Sequence, residues 1–205
     1  MKQSGDRRTH LESAARDLGV ALPAHAFDAL ISYADLLKEK AIPLGFVARS
    51  DEHRLVERHV IDSLRVAAEI EPTDRTALDL GSGAGLPGIV VAVAAPRLRV
   101  RLVESHRRRV AFLELAVERL GLANAEVVAE RAESLETDPT DLCTARAFAP
   151  LNRAWIVARR LLSDHGRLIY FAGSRTSATA PEGARIVATR PAPLESSGAL
   201  VIMAR

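Results

Sequence analysis

The segment TALDLGSGAGLPGIVVAVAA, residues 76–95, constrains the fold of this chain more than any other stretch. An apolar run ends in Asp79, four glycines follow within eight residues, and a second apolar run begins after Pro87. Glycine loses more backbone entropy on folding than other residues, so such a cluster indicates a tight turn or a close approach to a ligand. The pattern predicts a strand, a glycine turn and a buried helix.

Strand and helix patterns alternate along the chain after Pro72. Such alternation with short turns predicts a mostly parallel sheet that is covered by helices on both faces. The predicted strands are Thr76–Leu80, Arg99–Glu104, Ala125–Ala129, Leu142–Arg146, Arg167–Phe171, Ala184–Thr189 and Ala199–Ala204. The predicted helices are Pro87–Ala95, His106–Leu120 and Pro150–Leu162, and residues 172–183 are predicted to form a loop.

Residues 1–72 carry helical patterns only, which predicts a helical extension before a sheet domain of residues 73–205. Three helices are expected in this extension. Their predicted boundaries are a capping box at Thr9 and Glu12, a start after Pro23, a break at Pro43 and Gly45, an N-cap at Ser50 and an end before Pro72.

Two phosphate-binding interpretations of the glycine turn can be compared with the residues present. A P-loop needs a lysine and then serine or threonine after its last glycine, whereas Ile89 and Val90 follow here, which excludes it. A dinucleotide-binding G-x-G-x-x-G pattern is formally present at Gly83, Gly85 and Gly88, although its first glycine comes late in the turn. A nicotinamide-dependent dehydrogenase therefore stays open as an alternative.

The position of Asp79 favours a third interpretation of the turn. An acid at the end of the first strand, followed by G-x-G-x-G, resembles the first motif of Rossmann-like S-adenosylmethionine-dependent methyltransferases. Such a site needs glycines against which the methionine moiety and ribose can lie, and it needs no phosphate cradle. Glu104, at the end of the next strand, suits a carboxylate that accepts hydrogen bonds from ribose hydroxyls, but it fits the dinucleotide interpretation as well.

Five ordered blocks between His59 and Leu162 make the resemblance specific. They read HVIDSL, LDLGSGAGLPGI, LVESHRRRVAFL, ERAESL and ARAFAPL. Together they resemble the RsmG (GidB) family of bacterial 16S ribosomal RNA guanine-N7 methyltransferases. The resemblance implies a Rossmann-like α/β fold, a mostly parallel seven-stranded sheet with one antiparallel strand, and a small N-terminal helical extension. It also implies S-adenosylmethionine as methyl donor and a guanine of small-subunit ribosomal RNA as acceptor.

The resemblance further implies which residues hold the cofactor. Gly81 and Leu86 would border its methionine and ribose end, Glu104 would hold the ribose, and Ala132 and Glu133 would flank the adenine. All of them follow predicted parallel strands at the carboxyl end, where open α/β sheets bind ligands. The full set of expected cofactor-binding residues is Asp79, Gly81, Gly83, Leu86, Glu104, Ala132, Glu133 and Arg146.

The acceptor side is expected at the end of the fourth strand. Guanine N7 carries a lone pair and no proton, so methylation there needs orientation rather than a general base, and no catalytic residue in the usual sense is expected. Arg146 and Phe148 are the candidates for positioning the base. Phe148 could stack on the guanine, or it could anchor the turn in the core, and the sequence leaves both open.

Arg107, Arg108 and Arg109 open a predicted helix that Ser105 could cap. Three cations in a first turn oppose the helix dipole, which costs roughly 0.3–1 kcal/mol each when they are exposed. Contact with RNA phosphates would explain them, as would pairing with carboxylates or surface solubility. We therefore treat them as candidate RNA-binding residues.

Two segments depart from the family pattern. Ile42–Ala48, IPLGFVA, stands where the family usually carries an Asn-Leu-Thr-like segment, and Phe171–Ser174 stands where it often carries a Lys-Gly pair. Because both segments could touch the RNA, a methyltransferase with another acceptor and a cofactor-binding assembly factor without activity remain alternative functions.

The remaining features exclude several classes of protein. One cysteine, Cys143, argues against a disulfide scaffold and for a reducing cytoplasm, and no stretch suits a signal peptide or a membrane span. Aromatic residues make up 4%, too few for a base-stacking sheet. His59 and Asp62 share a helix face without an evident third ligand, so we expect no metal and interpret His59 as hydrogen-bonded at the domain junction. A monomer is expected.

Overall fold

The computed structural model describes residues 2–173, 179–192 and 198–205. Strands and helices alternate after an all-helical N-terminal part. The α-helices are α1 (Lys2–Asp17), α2 (Ala24–Leu36), α3 (Asp62–Leu64), α4 (Gly88–Ala94), α5 (Arg107–Leu120) and α6 (Leu151–Leu161). The strands are β1 (Thr76–Leu80), β2 (Arg99–Val103), β3 (Ala125–Val128), β4 (Thr140–Arg146), β5 (Leu162–Phe171), β6 (Arg185–Arg190) and β7 (Leu200–Ala204).

The seven strands form one sheet in the order β3-β2-β1-β4-β5-β7-β6. The first five strands in this order pair in parallel, and β7 runs antiparallel to both of its neighbours. The predicted seven-stranded sheet with one antiparallel strand is therefore confirmed. Strand order reverses at β1, so the carboxyl ends of β1, β2 and β4 meet at the crevice where open α/β sheets bind ligands.

The predicted strands and helices of the sheet domain lie within a few residues of those observed, with one larger difference. β5 starts at Leu162, directly after α6, rather than at Arg167. Its register against β4 shifts between Thr140 and Leu142. A β-carbon on Gly166 would come 2.7 Å from the Thr140 carbonyl oxygen, so glycine is needed where the two backbones approach. The predicted 172–183 loop is described only in part, since residues 174–178 lie outside the described ranges.

The N-terminal part is helical, but its predicted boundaries are wrong in several places. Thr9 lies inside α1 and starts no helix, because α1 already runs from Lys2. The turn Leu37–Ala41 continues α2 as a π-helix. Ser50 does not cap a regular helix, since a 3₁₀-helix at Arg49–Arg54 leads into a π-helix at Leu55–Ile61 and then into α3.

Two hydrophobic clusters hold the layers together. One joins the helical extension to α4, α5 and one face of the sheet, and it includes Leu30, Val60, Ile89 and Leu113. The other packs α6 on the opposite face, where Trp155 and Cys143 are fully buried. Because the extension and the sheet share the first cluster, a domain boundary at residue 72 stays a prediction. No helix of the described residues is long and apolar enough to cross a membrane.

Candidate functional site

The glycine turn between β1 and α4 has three residues with left-handed backbone conformation. Gly81, Gly83 and Gly85 have φ angles of 66°, 60° and 88°, which side chains other than glycine rarely adopt. A β-carbon built on Gly83 would meet only the Gly81 carbonyl oxygen, at 3.8 Å, so the space beside this residue is free of protein atoms. Gly81, Gly83 and Leu86 are partly exposed on this turn.

Asp79 lies beneath the turn and is buried, with an exposed fraction of 1%. Thr144 Oγ1 donates a hydrogen bond of 2.6 Å to Asp79 Oδ1, and the Gly88 amide donates one of 3.1 Å to Oδ2. Asp79 and Thr144 are register partners on β1 and β4, which explains why they meet. Burial raises the pKa of Asp79. This carboxylate therefore fixes the shape of the turn by joining β1, β4 and α4.

Glu104 follows β2 and faces the same turn, with an exposed fraction of 4%. Its Oε2 accepts a hydrogen bond of 3.0 Å from the Gly83 amide. Its Oε1 accepts bonds of 2.8 and 2.9 Å from the amides of Ser105 and His106. The expected Ser105 cap of α5 is wrong, because His106 is the N-cap and no side chain caps the helix. The carboxylate of Glu104 instead holds the two turns together.

Ala132 and Glu133 lie in the turn after β3. Ala132 is buried and Glu133 is exposed, with an ion pair of 3.0 Å to Arg153. Arg160 of α6 donates hydrogen bonds to the carbonyl oxygens of Leu135, Ala132 and Glu133 at 2.9, 3.1 and 3.0 Å. This role of Arg160 is not visible in the sequence, because an arginine in the last turn of a helix carries no indication of which distant carbonyl groups it reaches.

Arg146 ends β4 and points into the helical extension. It donates hydrogen bonds to Ser63 Oγ at 3.2 Å and to the Arg58 carbonyl at 3.3 Å. Its Nη2 lies 3.3 Å from His59 Nδ1 and 3.3 Å from Asp62 Oδ2. His59 is therefore hydrogen-bonded on both ring nitrogens, to Asp51 and to Arg146. The described residues contain no group of three His, Cys, Asp or Glu that could hold a metal ion.

Phe148 is half-buried and covers the start of the glycine turn. A β-carbon built on Gly81 would come 2.6 Å from Phe148 Cδ2. Between Arg146 and Phe148, Ala147 has a φ of 52°, a left-handed conformation that is strained for a residue with a side chain. Strain of this kind concentrates at functional sites. The ring also contacts the hydrophobic cluster under α6. Because it is partly exposed and partly packed, it could stack on a base or anchor the turn in the core.

The extension also contacts the back of the glycine turn. Tyr33 of α2 is fully buried, and its hydroxyl donates a hydrogen bond of 2.6 Å to the Ala84 carbonyl oxygen. Burial raises the pKa of Tyr33 well above its usual value, so this hydroxyl stays protonated. The contact spans 51 residues and had no signal in the sequence.

The three arginines that open α5 differ in their surroundings. Arg107 and Arg108 are exposed, and within the part of the chain that the structure describes neither makes an ion pair or a hydrogen bond with a side chain. Arg109 lies over the ring of Phe46 at 5.8 Å and 3.7 Å from Glu104. Arg109 is therefore engaged within the molecule, whereas Arg107 and Arg108 are free to meet a ligand.

Each of the two segments that depart from the family pattern places a phenylalanine ring beside an arginine. Phe46, within Ile42–Ala48, packs edge-on against Phe112 of α5 at a centroid distance of 6.0 Å and supports Arg109. Phe171 lies under the guanidinium of Arg146 at 5.3 Å. Ser174, the last residue of the second segment, lies outside the described residues.

The model of the rRNA small subunit methyltransferase G family, GidB, matches residues 26–190. The chain belongs to this family. A ribosomal RNA small subunit methyltransferase G of Neisseria meningitidis is 36% identical over 161 residues, 78% of this chain and 77% of the relative. The protein of that name from Gluconobacter oxydans is 41% identical over 150 residues, 73% of this chain and 76% of the relative. The resemblance drawn from the five sequence blocks is confirmed.

A solved methyltransferase supports the fold of this GidB family member. The glycopeptide N-methyltransferase MtfA, complexed with S-adenosyl-L-methionine, superposes with a TM-score of 0.58 at 10% identity. The superposition covers 72% of this chain and 94% of that chain. At this identity the likeness concerns the fold alone, and it confirms the predicted Rossmann-like methyltransferase architecture.

Proposed function

We propose that this protein transfers a methyl group from S-adenosylmethionine to N7 of a guanine in the 16S RNA of the small ribosomal subunit. The observation that carries the proposal is the hydrogen bond between Glu104 and Gly83 in a chain of the GidB family. It joins the acid after β2 to the glycine turn after β1. An acid beside a glycine turn suits the ribose of a nucleoside cofactor, and membership of the GidB family favours S-adenosylmethionine over a dinucleotide.

The residues at this edge suit S-adenosylmethionine. The open space beside Gly83 lets the methionine and ribose moieties lie against the backbone. A carboxylate has about four lone-pair sites, and Glu104 uses three of them for backbone amides, so an acceptor site is left for a ribose hydroxyl. Gly81 and Leu86 would border the methionine end, and the turn at Ala132 and Glu133, held by Arg160, would flank the adenine.

Asp79 and Arg146 contribute less directly than the sequence suggested. Asp79 Oδ1 accepts a hydrogen bond from Thr144, and Oδ2 accepts one from the Gly88 amide. We therefore assign Asp79 the role of shaping the glycine turn. Arg146 is bound to the extension, with its guanidinium over Phe171. We assign it a role on the acceptor side.

The chemistry asks the protein to orient the base and to exclude water. S-adenosylmethionine supplies an electrophilic methyl group when it is bound. Guanine N7 has a lone pair and no proton to lose, so the chain needs no general base beside it. Phe148 stands against Gly81, where its ring can stack on the base and set the direction of N7. The rate then comes from orientation.

Methyl transfer tests this proposal directly. Small subunits from a strain that lacks the modification would be incubated with the purified protein and S-adenosylmethionine labelled in the methyl group. We expect label in the 16S RNA, recovered as 7-methylguanosine. Cofactor binding without transfer would point to an assembly factor, and label in another molecule or at another atom would point to another acceptor. A cytoplasmic location and a monomeric state remain predictions.

A further inference from the structure

The guanidinium of Arg146 takes its polar partners from one short stretch of the extension. The Ser63 hydroxyl, the Arg58 carbonyl, the His59 ring and the Asp62 carboxylate lie within 3.2–3.3 Å of its two terminal nitrogens. Residues 58–63 are more than 80 positions away in sequence. The backbone of Arg146 pairs with Phe171 of β5, whereas its guanidinium takes these polar contacts from the extension.

The contact with Arg146 fixes the tautomer of His59. An arginine can only donate, so His59 Nδ1 must be the unprotonated acceptor. The proton then resides on Nε2, which donates to Asp51 Oδ2 at 2.9 Å. The three side chains form a directional chain from Arg146 through His59 to Asp51.

A neutral histidine is required for this chain. The charged groups that face His59 are Asp51, Arg58 and Arg146. Burial, together with the charge of Arg146, lowers the pKa of His59. A proton on Nδ1 would place two donors and two positive charges against each other, and the contact with Arg146 would be lost.

The backbone around His59 is irregular, which supports a functional role for residues 49–61. His59 lies in the π-helix Leu55–Ile61, and Asp51 lies in the preceding 3₁₀-helix Arg49–Arg54. π-Helical turns are rare and occur frequently at functional sites. On the other side of the contact, Arg146 directly precedes the strained Ala147 and then Phe148.

We propose that His59 is a positioning residue for methyl transfer: by accepting a hydrogen bond from Arg146 it holds the turn that places Phe148 over Gly81. This inference rests on the proposed function and assigns part of its geometry to the extension. A fixed Arg146 defines where the strained turn at Ala147 begins. It thereby defines where the ring of Phe148 lies against the glycine turn.

Two isosteric variants separate this role from simple packing. In His59→Asn the side-chain oxygen occupies the place of Nδ1 and can still accept from Arg146, whereas the bond to Asp51 is lost. In His59→Gln the amide nitrogen occupies the place of Nε2 and can still donate to Asp51, whereas the bond to Arg146 is lost. Each variant removes one hydrogen bond of the same residue. His53→Gln, at an exposed histidine of the adjoining segment, serves as the surface control.

We expect His59→Gln to lower kcat about tenfold or more, because misplacement in an orientation-driven reaction is costly. His59→Asn should stay within about twofold of the wild type, and KM for S-adenosylmethionine should change little in either variant. Turnover would be expressed per folded molecule, with Tm recorded for each protein. Equal kcat values for the two His59 variants, or losses that follow Tm alone, would overturn the proposal.

Hydrogen exchange gives a readout that does not depend on activity. The amides of Ala147 and Phe148 should exchange faster in His59→Gln than in His59→Asn, and the His53→Gln control should match the wild type. Equal exchange in the two His59 variants would refute the positioning role even if the wild type methylates no ribosomal RNA. A wild type without transfer, combined with the expected exchange pattern, would refute the proposed function and leave the contact established.

Discussion

Phe148 and Gly81 lie in direct contact across the crevice, so that a β-carbon built on Gly81 would come 2.6 Å from Phe148 Cδ2. The two residues belong to the turns after β4 and β1, which are neighbours in the sheet. An aromatic ring from the proposed acceptor side thus rests on the backbone of the proposed cofactor side. A glycine is required at position 81 both by this contact and by its left-handed φ of 66°.

Replacing Phe148 with leucine tests whether the ring serves the reaction. Base–aromatic stacking is worth roughly 1–3 kcal/mol, so we expect methyl transfer to fall about tenfold or more. Stability and cofactor affinity should change little because the ring is only half-buried. Phe112→Leu, at a buried position of α5, is the matched control and should lose roughly 1 kcal/mol of stability with turnover per folded molecule retained. Normal turnover in Phe148→Leu would remove this residue from the site.

Glu104→Gln is expected to weaken both cofactor binding and the fold. The amide nitrogen cannot accept from backbone amides, and a buried unsatisfied donor costs about 1–3 kcal/mol. Calorimetry should show at least about a tenfold loss of S-adenosylmethionine affinity, since hydrogen bonds to a charged group are the strong ones. Urea unfolding would measure the loss of stability. Glu126→Gln, an exposed acid on β3, should change neither quantity. Unaltered affinity in folded Glu104→Gln would place the ribose elsewhere.

Tyr33→Phe and Tyr170→Phe form a matched pair of hydroxyl deletions. Tyr33 donates to the Ala84 carbonyl in the glycine turn, and Tyr170 donates to the Ala149 carbonyl in the turn after β4. Each loss should cost about 1 kcal/mol of stability. We expect Tyr33→Phe alone to lower affinity for S-adenosylmethionine, by several-fold in calorimetry. Equal affinities in the two variants would show that the contact between the extension and the glycine turn does not affect cofactor binding.

The arginines of α5 should separate into two groups in RNA binding. If Arg107 and Arg108 neutralise phosphates, replacing both with glutamine should reduce the salt dependence by roughly 0.7–0.9 in log–log slope per lost contact. Arg109→Gln is the comparison, because Arg109 is engaged by Phe46 and Glu104. Binding titrations between low and moderate salt would measure the slopes. A wild-type slope in the double variant would mean that these side chains are only solvated surface.

Protonation of His59 should destabilise the fold in mild acid. Its pKa is lowered in the folded state, while the unfolded value is about 6.5. Between the two values the unfolded chain binds the proton and the folded chain does not, so stability falls as the pH drops below about 6.5. The Tm of the wild type should therefore decrease more steeply from neutral to mildly acidic pH than that of His59→Asn. Identical pH profiles would mean that His59 contributes no such linkage.

Much of the fold was predictable because its signals are local. Alternating apolar runs and turn residues indicate strands and helices, and the acid followed by spaced glycines indicates the β1–α4 turn with its left-handed positions. The five sequence blocks identified the family. The errors were local as well: Thr9 and Ser50 have the chemistry of helix caps, yet α1 begins at Lys2 and irregular helices occupy residues 49–61, because packing outweighs capping preferences.

The partners of the site residues were not predictable from these local patterns. Three long-range contacts depend on how the extension and α6 pack against the sheet. They join Arg146 to residues 58–63, Tyr33 to Ala84, and Arg160 to the turn at Ala132. A side chain's direction across tens of residues follows from the whole core and not from its neighbours in the chain. The local patterns therefore specify the sheet, the glycine turn and its acids. Long-range packing decides which arginine is buried, which is free, and which aromatic ring covers the turn.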